Sequence, residues 1–176
     1  MSPARLRSAR PDDADAIAAL HAAVWHATYR DLAPPEAIAA LDEARRRATW
    51  TAILAAPKPH QRAVVAECGG MLAGFGLAGP TDDPAFGGRG EVKYLYVDQA
   101  RARQGIGRRM LSDLARFLRA EGFAGMALAV VEGNDRAFSF YAALGGVPAG
   151  RSIDPGPLWR SSNIIIAWDD LSGFGG

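Results

Sequence analysis

The sequence predicts an α/β (mixed α+β) fold, a central mixed sheet of about seven strands with helices on both faces. Three observations carry that expectation. An apolar run holding Val92, Tyr94, Leu95, Tyr96 and Val97 breaks into an Arg-rich, Gly-containing turn and resumes as an amphipathic helix with Met110, Leu111, Leu114, Phe117 and Leu118 at helical spacing. A second passage of the same kind runs from the strand-type segment Ala127 to Val131 through Glu132-Gly133-Asn134-Asp135 into a helix holding Ala137, Phe138, Phe140, Tyr141 and Leu144. Two further apolar runs, Arg62 to Glu67 and Leu72 to Leu77, flank Gly69-Gly70 as an antiparallel hairpin requires.

In chain order, Arg5 to Ala9 forms a first strand, and Arg10-Pro11-Asp12-Asp13 offers a turn with Asp as helix cap. The helix that follows carries Ile17, Leu20, Val24 and Trp25 on one face. Pro34-Pro35 resets the chain, and Ile38, Leu41, Ala44, Trp50, Ile53 and Leu54 mark one or two further helices ending before Pro57. After the hairpin, the loop from Gly79 to Gly90 is broken by Pro80, Pro84 and paired glycines. The two strand-to-helix passages come next, the second helix ending at Gly145-Gly146. Val147 to Ile153 and Asn163 to Trp168 supply two closing antiparallel strands, and residues 171–176 form a flexible tail beyond a single domain over 1–170.

At 176 residues the chain is long enough to bury a substantial core. A formal net charge of +1 gives no global pull toward nucleic acid, so the local arginine cluster has to be judged as a site. Cys68 is the one cysteine, which excludes an intrachain disulfide, and its place beside Gly69-Gly70 suits a strand end better than a nucleophile. No apolar segment approaches membrane-spanning length and no secretory leader is visible at Met1, so a cytoplasmic location with no membrane partner is the expectation. No metal-type spacing of cysteine and histidine occurs.

The segment Arg101-Ala102-Arg103-Gln104-Gly105-Ile106-Gly107-Arg108-Arg109 reads as an anion cradle. A short strand feeding such a turn places backbone N–H groups and a positive helix N-terminus where a phosphate can sit. Gly105 and Gly107 allow a tight turn and close approach of a ligand to the backbone. No Lys-Ser or Lys-Thr follows, against an NTPase loop, and Met110 stands where a dinucleotide fingerprint has its third glycine. Arginines at 101, 103, 108 and 109 add positive charge, although a solvated helix start would carry them equally well. One helix terminus contributes about 0.3–1 kcal/mol when exposed and up to about 2 when partly buried, so tight binding needs the whole array.

These motifs resemble the Gcn5-related N-acetyltransferase (GNAT) superfamily over most of the chain. Glu91 to Val97 is similar to its fourth strand, Gln104-Gly105-Ile106-Gly107 to its pyrophosphate loop, and Asn134 to Gly145 to its fifth-strand exit and following helix. Two positions depart from the pattern: Ala102 replaces the Arg or Gln that usually opens the loop, and Gly146 stands where an aromatic residue commonly follows the glycine. The resemblance implies binding of acetyl-coenzyme A (acetyl-CoA) and acetylation of an amine. It implies that Arg103, Gln104, Gly105, Ile106, Gly107 and Arg108 face the diphosphate, with Arg101 or Arg103 standing in for the missing side chain. It also implies that backbone at Leu95, Tyr96 and Val97 pairs with the pantetheine amides, and that Asn134, Phe138 and Tyr141 complete the coenzyme site.

Attack on a thioester needs a neutral amine and favours a donor to the leaving thiolate. The resemblance makes Glu91 the proton acceptor, directly or through water, and Tyr141 the donor to the coenzyme sulfur. Read without it, Glu91 flanks Lys93 on a strand surface, Tyr141 is an aromatic wedge and Asn134 is an ordinary helix cap. An acceptor pocket is implied from Trp25, His26, Tyr29 and Trp159, which could form an aromatic wall around an amine. Trp25 and Tyr29 are equally one helical repeat apart and suited to packing, and His26 alone reads first as structural. The expected activity is acetyl transfer to a primary amine of a small molecule or peptide by direct attack in a ternary complex, without a metal. Use of another acyl-coenzyme A, or a non-catalytic coenzyme A-binding regulatory domain, is the alternative, and a homodimer is suggested by family habit.

Overall fold

Residues 4–174 are described by the computed structural model, and within them seven strands build one sheet. These are β1 (Arg5–Ser8), β2 (Arg62–Cys68), β3 (Met71–Gly79), β4 (Gly90–Val97), β5 (Met126–Val131), β6 (Val147–Asp154) and β7 (Ser161–Trp168). Their order across the sheet is β1-β2-β3-β4-β5-β7-β6; β4 and β5 run parallel and every other neighbouring pair is antiparallel. Among the described residues five α-helices accompany it: α1 (Ala14–Tyr29), α2 (Pro35–Ala40), α3 (Glu43–Ala55), α4 (Ile106–Ala120) and α5 (Asp135–Ala143). None of the described helices is long and apolar enough to cross a membrane.

Alternation along the central strands sorts the apolar side chains onto two faces. Val65, Phe75 and Leu77 pack with Ile17 of α1 and with Trp50 and Leu54 of α3. Val64, Ala78, Val92, Leu128 and Val130 pack on the other face with Leu111, Leu114 and Leu118 of α4 and Tyr141 of α5. The helix α4 lies so close to β3 that a Cβ on Gly74 would stand 3.0 Å from Met110 Sδ and one on Gly76 3.0 Å from Leu114 Cδ1. Those two glycines therefore let the apolar face of α4 press onto bare backbone.

The hairpin between β2 and β3 turns at Gly69 (φ +60°) and Gly70 (φ +79°), a left-handed pair that suits the strand twist. Cys68 is buried at the end of β2. At Gly146 a Cβ would meet Ile166 Cγ2 at 2.6 Å and the Trp168 ring at 2.7 Å. Trp168 already fills that space and donates its indole N–H to the Leu144 carbonyl at 2.9 Å, which accounts for the glycine physically.

Two expectations are corrected. Asp13 occupies the cap position of α1 but makes no side-chain cap; its carboxylate accepts from Arg7 at 2.7 and 2.8 Å and from the Arg10 backbone N–H at 2.7 Å. A bidentate guanidinium pair outcompetes a single helix N–H for those oxygens. The segment from 171 is not a free tail as far as it is described: Leu171 is buried in the α4-side core, and Phe174 packs edge-on to Trp168 at 6.1 Å. Residues 175–176 lie outside the described residues.

Arg7 also reaches Glu67 at 2.9 Å, so it ties β1 to β2 and to the entry of α1. The hydrogen bond from Arg7 is the main cause that holds the Asp13 carboxyl below the usual carboxylate range. A lowered folded value means stability that is present above the ordinary carboxylate pKa of about 3.9 and is lost as pH falls through the folded value. Asp13→Asn is expected to lower the unfolding free energy by about 1–3 kcal/mol at neutral pH, with the gap to wild type closing as both proteins are acidified. Urea melts across that range check it.

Candidate functional site

The parallel pairing of β4 and β5 extends over two positions, Gly90 with Met126 and Glu91 with Ala127, and then stops. Beyond it β4 stays on β3 as far as Val97, while β5 stays on β7 as far as Val131. Lys93 is skipped in the register between Leu77–Tyr94 and Ala78–Val92, a bulge that bends β4 just where it leaves β5. The Asp98 N–H donates to the Ala73 carbonyl at 2.9 Å. By the alternation of an antiparallel ladder, Tyr96 and Tyr94 then spend their backbone groups on β3, and Leu95 and Val97 turn theirs into the gap.

The gap opens into a cavity of about 640 Å³. Its walls are Val92, Lys93, Leu95, Tyr96 and Val97 from β4, Leu128, Ala129 and Val130 from β5, and Val24, Thr28 and Tyr29 from α1. The turn before α4 adds Gln99, Arg101, Ala102, Arg103 and Gly105, and α4 itself adds Ile106, Gly107 and Arg108. Asn134, Arg136, Ala137, Ser139, Phe140 and Tyr141 close it from the α5 side.

At the start of α4 the backbone is shaped for an anion. Arg103 (φ +62°) and Gly105 (φ +75°) are both left-handed, and a Cβ on Gly105 would meet nothing within 4 Å. The first helical bond is Arg109 N–H to the Gly105 carbonyl, and no side chain caps this helix. The N–H groups of Gly105 to Arg108 are therefore without an intrahelical acceptor. Asp42 caps α3 through Arg45 N–H at 2.8 Å and Asn134 caps α5 through Ala137 N–H at 3.2 Å, so the bare end of α4 stands apart from both. Gly107 is the close approach to α5, since a Cβ there would lie 3.1 Å from Phe140 Cζ. The arginines diverge: Arg103 and Arg108 line the cavity, Arg101 lines it while lying 3.9 Å from Asp98, and Arg109 turns away to the Ala4 carbonyl at 2.6 Å.

At the other end stand three phenols, Tyr29 and Tyr141 buried and Tyr96 partly so. Tyr141 packs edge-on to Phe140 at 5.0 Å and to Trp168 at 6.1 Å. Burial, then the neighbouring Tyr29, raises its pKa well above that of a free phenol. Tyr96 is raised by burial and next by Tyr29. Tyr29 is raised by burial, partly offset by hydrogen bonding to Tyr96 and Asn134. All three hold their protons throughout the neutral range, so each keeps an O–H to donate there.

Leu95, Tyr96, Val97, Arg103, Gly105, Ile106, Gly107, Arg108, Asn134, Tyr141 and Tyr29 thus share one cavity. The other expected residues lie elsewhere. Gln104 is exposed beside the cradle, and Phe138 packs into the α4-side core while Phe140, nearly one helical turn past Ala137, faces the cavity in its place. Glu91 is not on the cavity wall; its carboxyl is raised by burial, with Lys93 and a hydrogen bond to Thr81 acting against that. Trp25 and Trp159 join Tyr29 in an aromatic cluster, with ring centroids 5.1 and 6.0 Å from it, but do not line the cavity. The ring Nε2 of His26 lies 2.6 Å from the Leu41 carbonyl, which fixes the end of α2 to α1. Sequence reasoning passed over His21, whose ring centroid lies 5.0 Å from those of Tyr94 and Tyr96; a single polar residue in a helical pattern gave no signal.

Residues 23–145 match the acetyltransferase (GNAT) family. The uncharacterized N-acetyltransferase YuaI of Bacillus subtilis is 28% identical over 168 residues, which is 95% of this chain and 94% of that protein. Among solved structures, the PaiA N-acetyltransferase of Thermoplasma acidophilum in complex with coenzyme A superposes with a TM-score of 0.74 at 18% identity, over 95% of this chain and 98% of that one. The Salmonella typhimurium protein yncA, solved with acetyl-CoA, superposes with a TM-score of 0.67 at 21% identity, over 96% and 95%. At these identities the two structures establish likeness of fold.

The buried phenols give the site a spectroscopic signature. In an alkaline titration, the phenolate absorbance of Tyr29, Tyr96 and Tyr141 is expected to appear with unfolding, above the ordinary tyrosine value of about 10, and Tyr141→Phe should reduce that late amplitude. Early, reversible ionisation of all tyrosines in the folded protein would contradict the burial.

Proposed function

The chain belongs to the acetyltransferase (GNAT) family, and from that premise we propose that it moves an acetyl group from acetyl-CoA to a primary amine of a small molecule or peptide within a ternary complex. The single observation that carries this reading is the parting of β4 from β5, which opens unpaired backbone at Leu95 and Val97 onto the same cavity as the uncapped start of α4. A long ligand with amide groups at its middle and a diphosphate at one end fits that pair of features. The coenzyme A and acetyl-CoA held by the two solved relatives of like fold support the match.

Bound acetyl-CoA supplies an activated thioester: the amine lone pair forms a C–N bond to the acetyl carbon, the C–S bond breaks, and the thiolate leaves. The chain's own groups bind, orient and handle the protons. Gly105 to Arg108 give backbone N–H groups to the diphosphate, with charge from Arg103 and Arg108. Leu95 and Val97 extend the sheet onto the pantetheine amides. Tyr141, kept protonated by its burial, donates to the leaving sulfur, and the same desolvation makes the thiolate a stronger acceptor. The amine proton leaves through water, with Glu91 as a relayed acceptor because its carboxyl sits off the cavity wall. That placement is also the one observation that favours a coenzyme-binding module without turnover, and acetylation of any amine by the wild-type protein decides against it.

Two variants separate binding from chemistry. Gly105→Val places a β-branched residue at φ +75° against the diphosphate and is expected to weaken acetyl-CoA binding by about tenfold or more, read by calorimetry. Tyr141→Phe is expected to keep acetyl-CoA affinity and slow thiol release by about 10²–10⁴-fold. Unchanged affinity in the first, or unchanged turnover in the second with chemistry limiting the rate, would remove the role assigned to that residue.

A further inference from the structure

Of the 20 lysine and arginine side chains in the sequence, only Lys58 and Lys93 are lysines. Lys58 is exposed in the segment between α3 and β2 and is not on the wall of the cavity between β4 and β5. Lys93 is exposed too, but it lines that cavity, and among the described wall residues it is the one primary amine.

The course of β4 fixes where along the cavity this amine stands. Val92 packs toward α4, while Tyr94 and Tyr96 pack toward α1 and α3, so alternation from Val92 puts Lys93 on the α1 side. Lys93 is the residue that the register with β3 skips at the bulge. It follows the last parallel pair, Glu91 with Ala127, by two residues and so sits at the closed end of the gap. Val24 and Thr28 of α1 and Ala129 of β5 share the cavity wall with it.

Along coenzyme A the order of groups is diphosphate, two amides, then the thioester. The cradle lies beyond the Val97 end of β4, so an arm that leaves it and pairs at Val97 and then at Leu95 runs toward Lys93. The thioester therefore arrives at the bulge, next to a primary amine on a flexible four-carbon stem. Glu91 lies two residues back on the same face of the strand, and Lys93 is the first charge that acts on its carboxyl.

We propose that Lys93 is a self-acetylation site, which accepts the acetyl group of the acetyl-CoA bound in its own cavity. This rests on the acetyl-transfer reading and adds the chain itself to the substrates of that site. The neutral Lys93 Nζ gives its lone pair to the acetyl carbon; the C–N bond forms, the C–S bond breaks and the thiolate leaves. Two protons leave the nitrogen on the way from ammonium to amide. One ends on the coenzyme thiol and the other in solvent, so one acetyl-CoA becomes one coenzyme A and the cavity wall loses one positive charge.

The test gives wild-type protein acetyl-CoA and no other amine, and follows acetyl occupancy at Lys93 and Lys58 by peptide mass spectrometry. Lys93 is expected to acetylate about 10²-fold or more faster than Lys58, because a bound thioester acts at high effective molarity. Its rate constant should saturate with acetyl-CoA and stay constant as the protein is diluted. Lys93→Arg, which keeps the charge, should gain no acetyl group beyond the Lys58 background. A second readout needs no transfer: saturating coenzyme A should shield Lys93, and not Lys58, from acetic anhydride. Equal rates at the two lysines, a rate constant that rises with protein concentration, or full anhydride labelling of Lys93 under coenzyme A would overturn the proposal. Calorimetry with acetyl-CoA separates the two readings. Binding without acetylation of Lys93 overturns self-acetylation alone, whereas no binding by folded wild type overturns the transfer reading as well.

Discussion

Everything at the site follows from where β4 lets go of β5. A parallel pair that continued past Glu91 and Ala127 would satisfy the backbone of Leu95 and Val97 internally and close the cavity. The bulge at Lys93 bends β4, and β3 and β7 hold the two strands on their outer sides, so they part without losing the rest of the sheet. Backbone groups left without a strand partner in this way are available to a ligand that carries amides.

The rest of the architecture serves to hold the two ends of that gap in place. Gly74 and Gly76 bring α4 onto β3, which fixes its bare N-terminus at one mouth of the gap, and Gly107 lets α5 approach closely enough to hang Tyr141 over the other side. Polarity changes along the cavity. The cradle end is rich in N–H groups and arginine, whereas the inner end is lined by phenols that burial keeps neutral, with the His21 ring centroid 5.0 Å from that of Tyr96. Burial, chiefly, with help from Arg46, pushes His21 down to about 3, so its imidazole is uncharged at neutral pH.

Much of the fold was legible because it rests on periodicity. The two strand-to-helix passages, the Gly69-Gly70 hairpin and the closing strands all appear close to where apolar spacing put them. The tight turn into α4 was legible for a similar reason, since glycine at positive φ and a helix start leave a local mark. What sequence could not give was direction. Phe138 and Phe140 look alike in the helical pattern, and only the docking of α5 decides that Phe140 faces the cavity. Tyr96 and Val97 look alike in the strand, and only the ladder with β3 decides whose backbone is spare. Arg46 sits in an Arg45-Arg46-Arg47 run whose members look alike, and only the docking of α3 on α1 leaves it half-buried between exposed neighbours. His26 and Glu91 were singled out by the family resemblance, yet one is engaged by the Leu41 carbonyl and the other has a hydrogen bond to Thr81.

Backbone hydrogen exchange with and without acetyl-CoA tests the central claim most directly, because it reads the spare N–H groups themselves. Saturating acetyl-CoA is expected to slow exchange at Leu95 and Val97 and at Gly105 to Arg108, while Tyr94 and Tyr96, already bonded to β3, change little. Saturable binding that leaves those amides unprotected, or no binding by folded protein, would contradict the assignment of the gap between β4 and β5 as the coenzyme site.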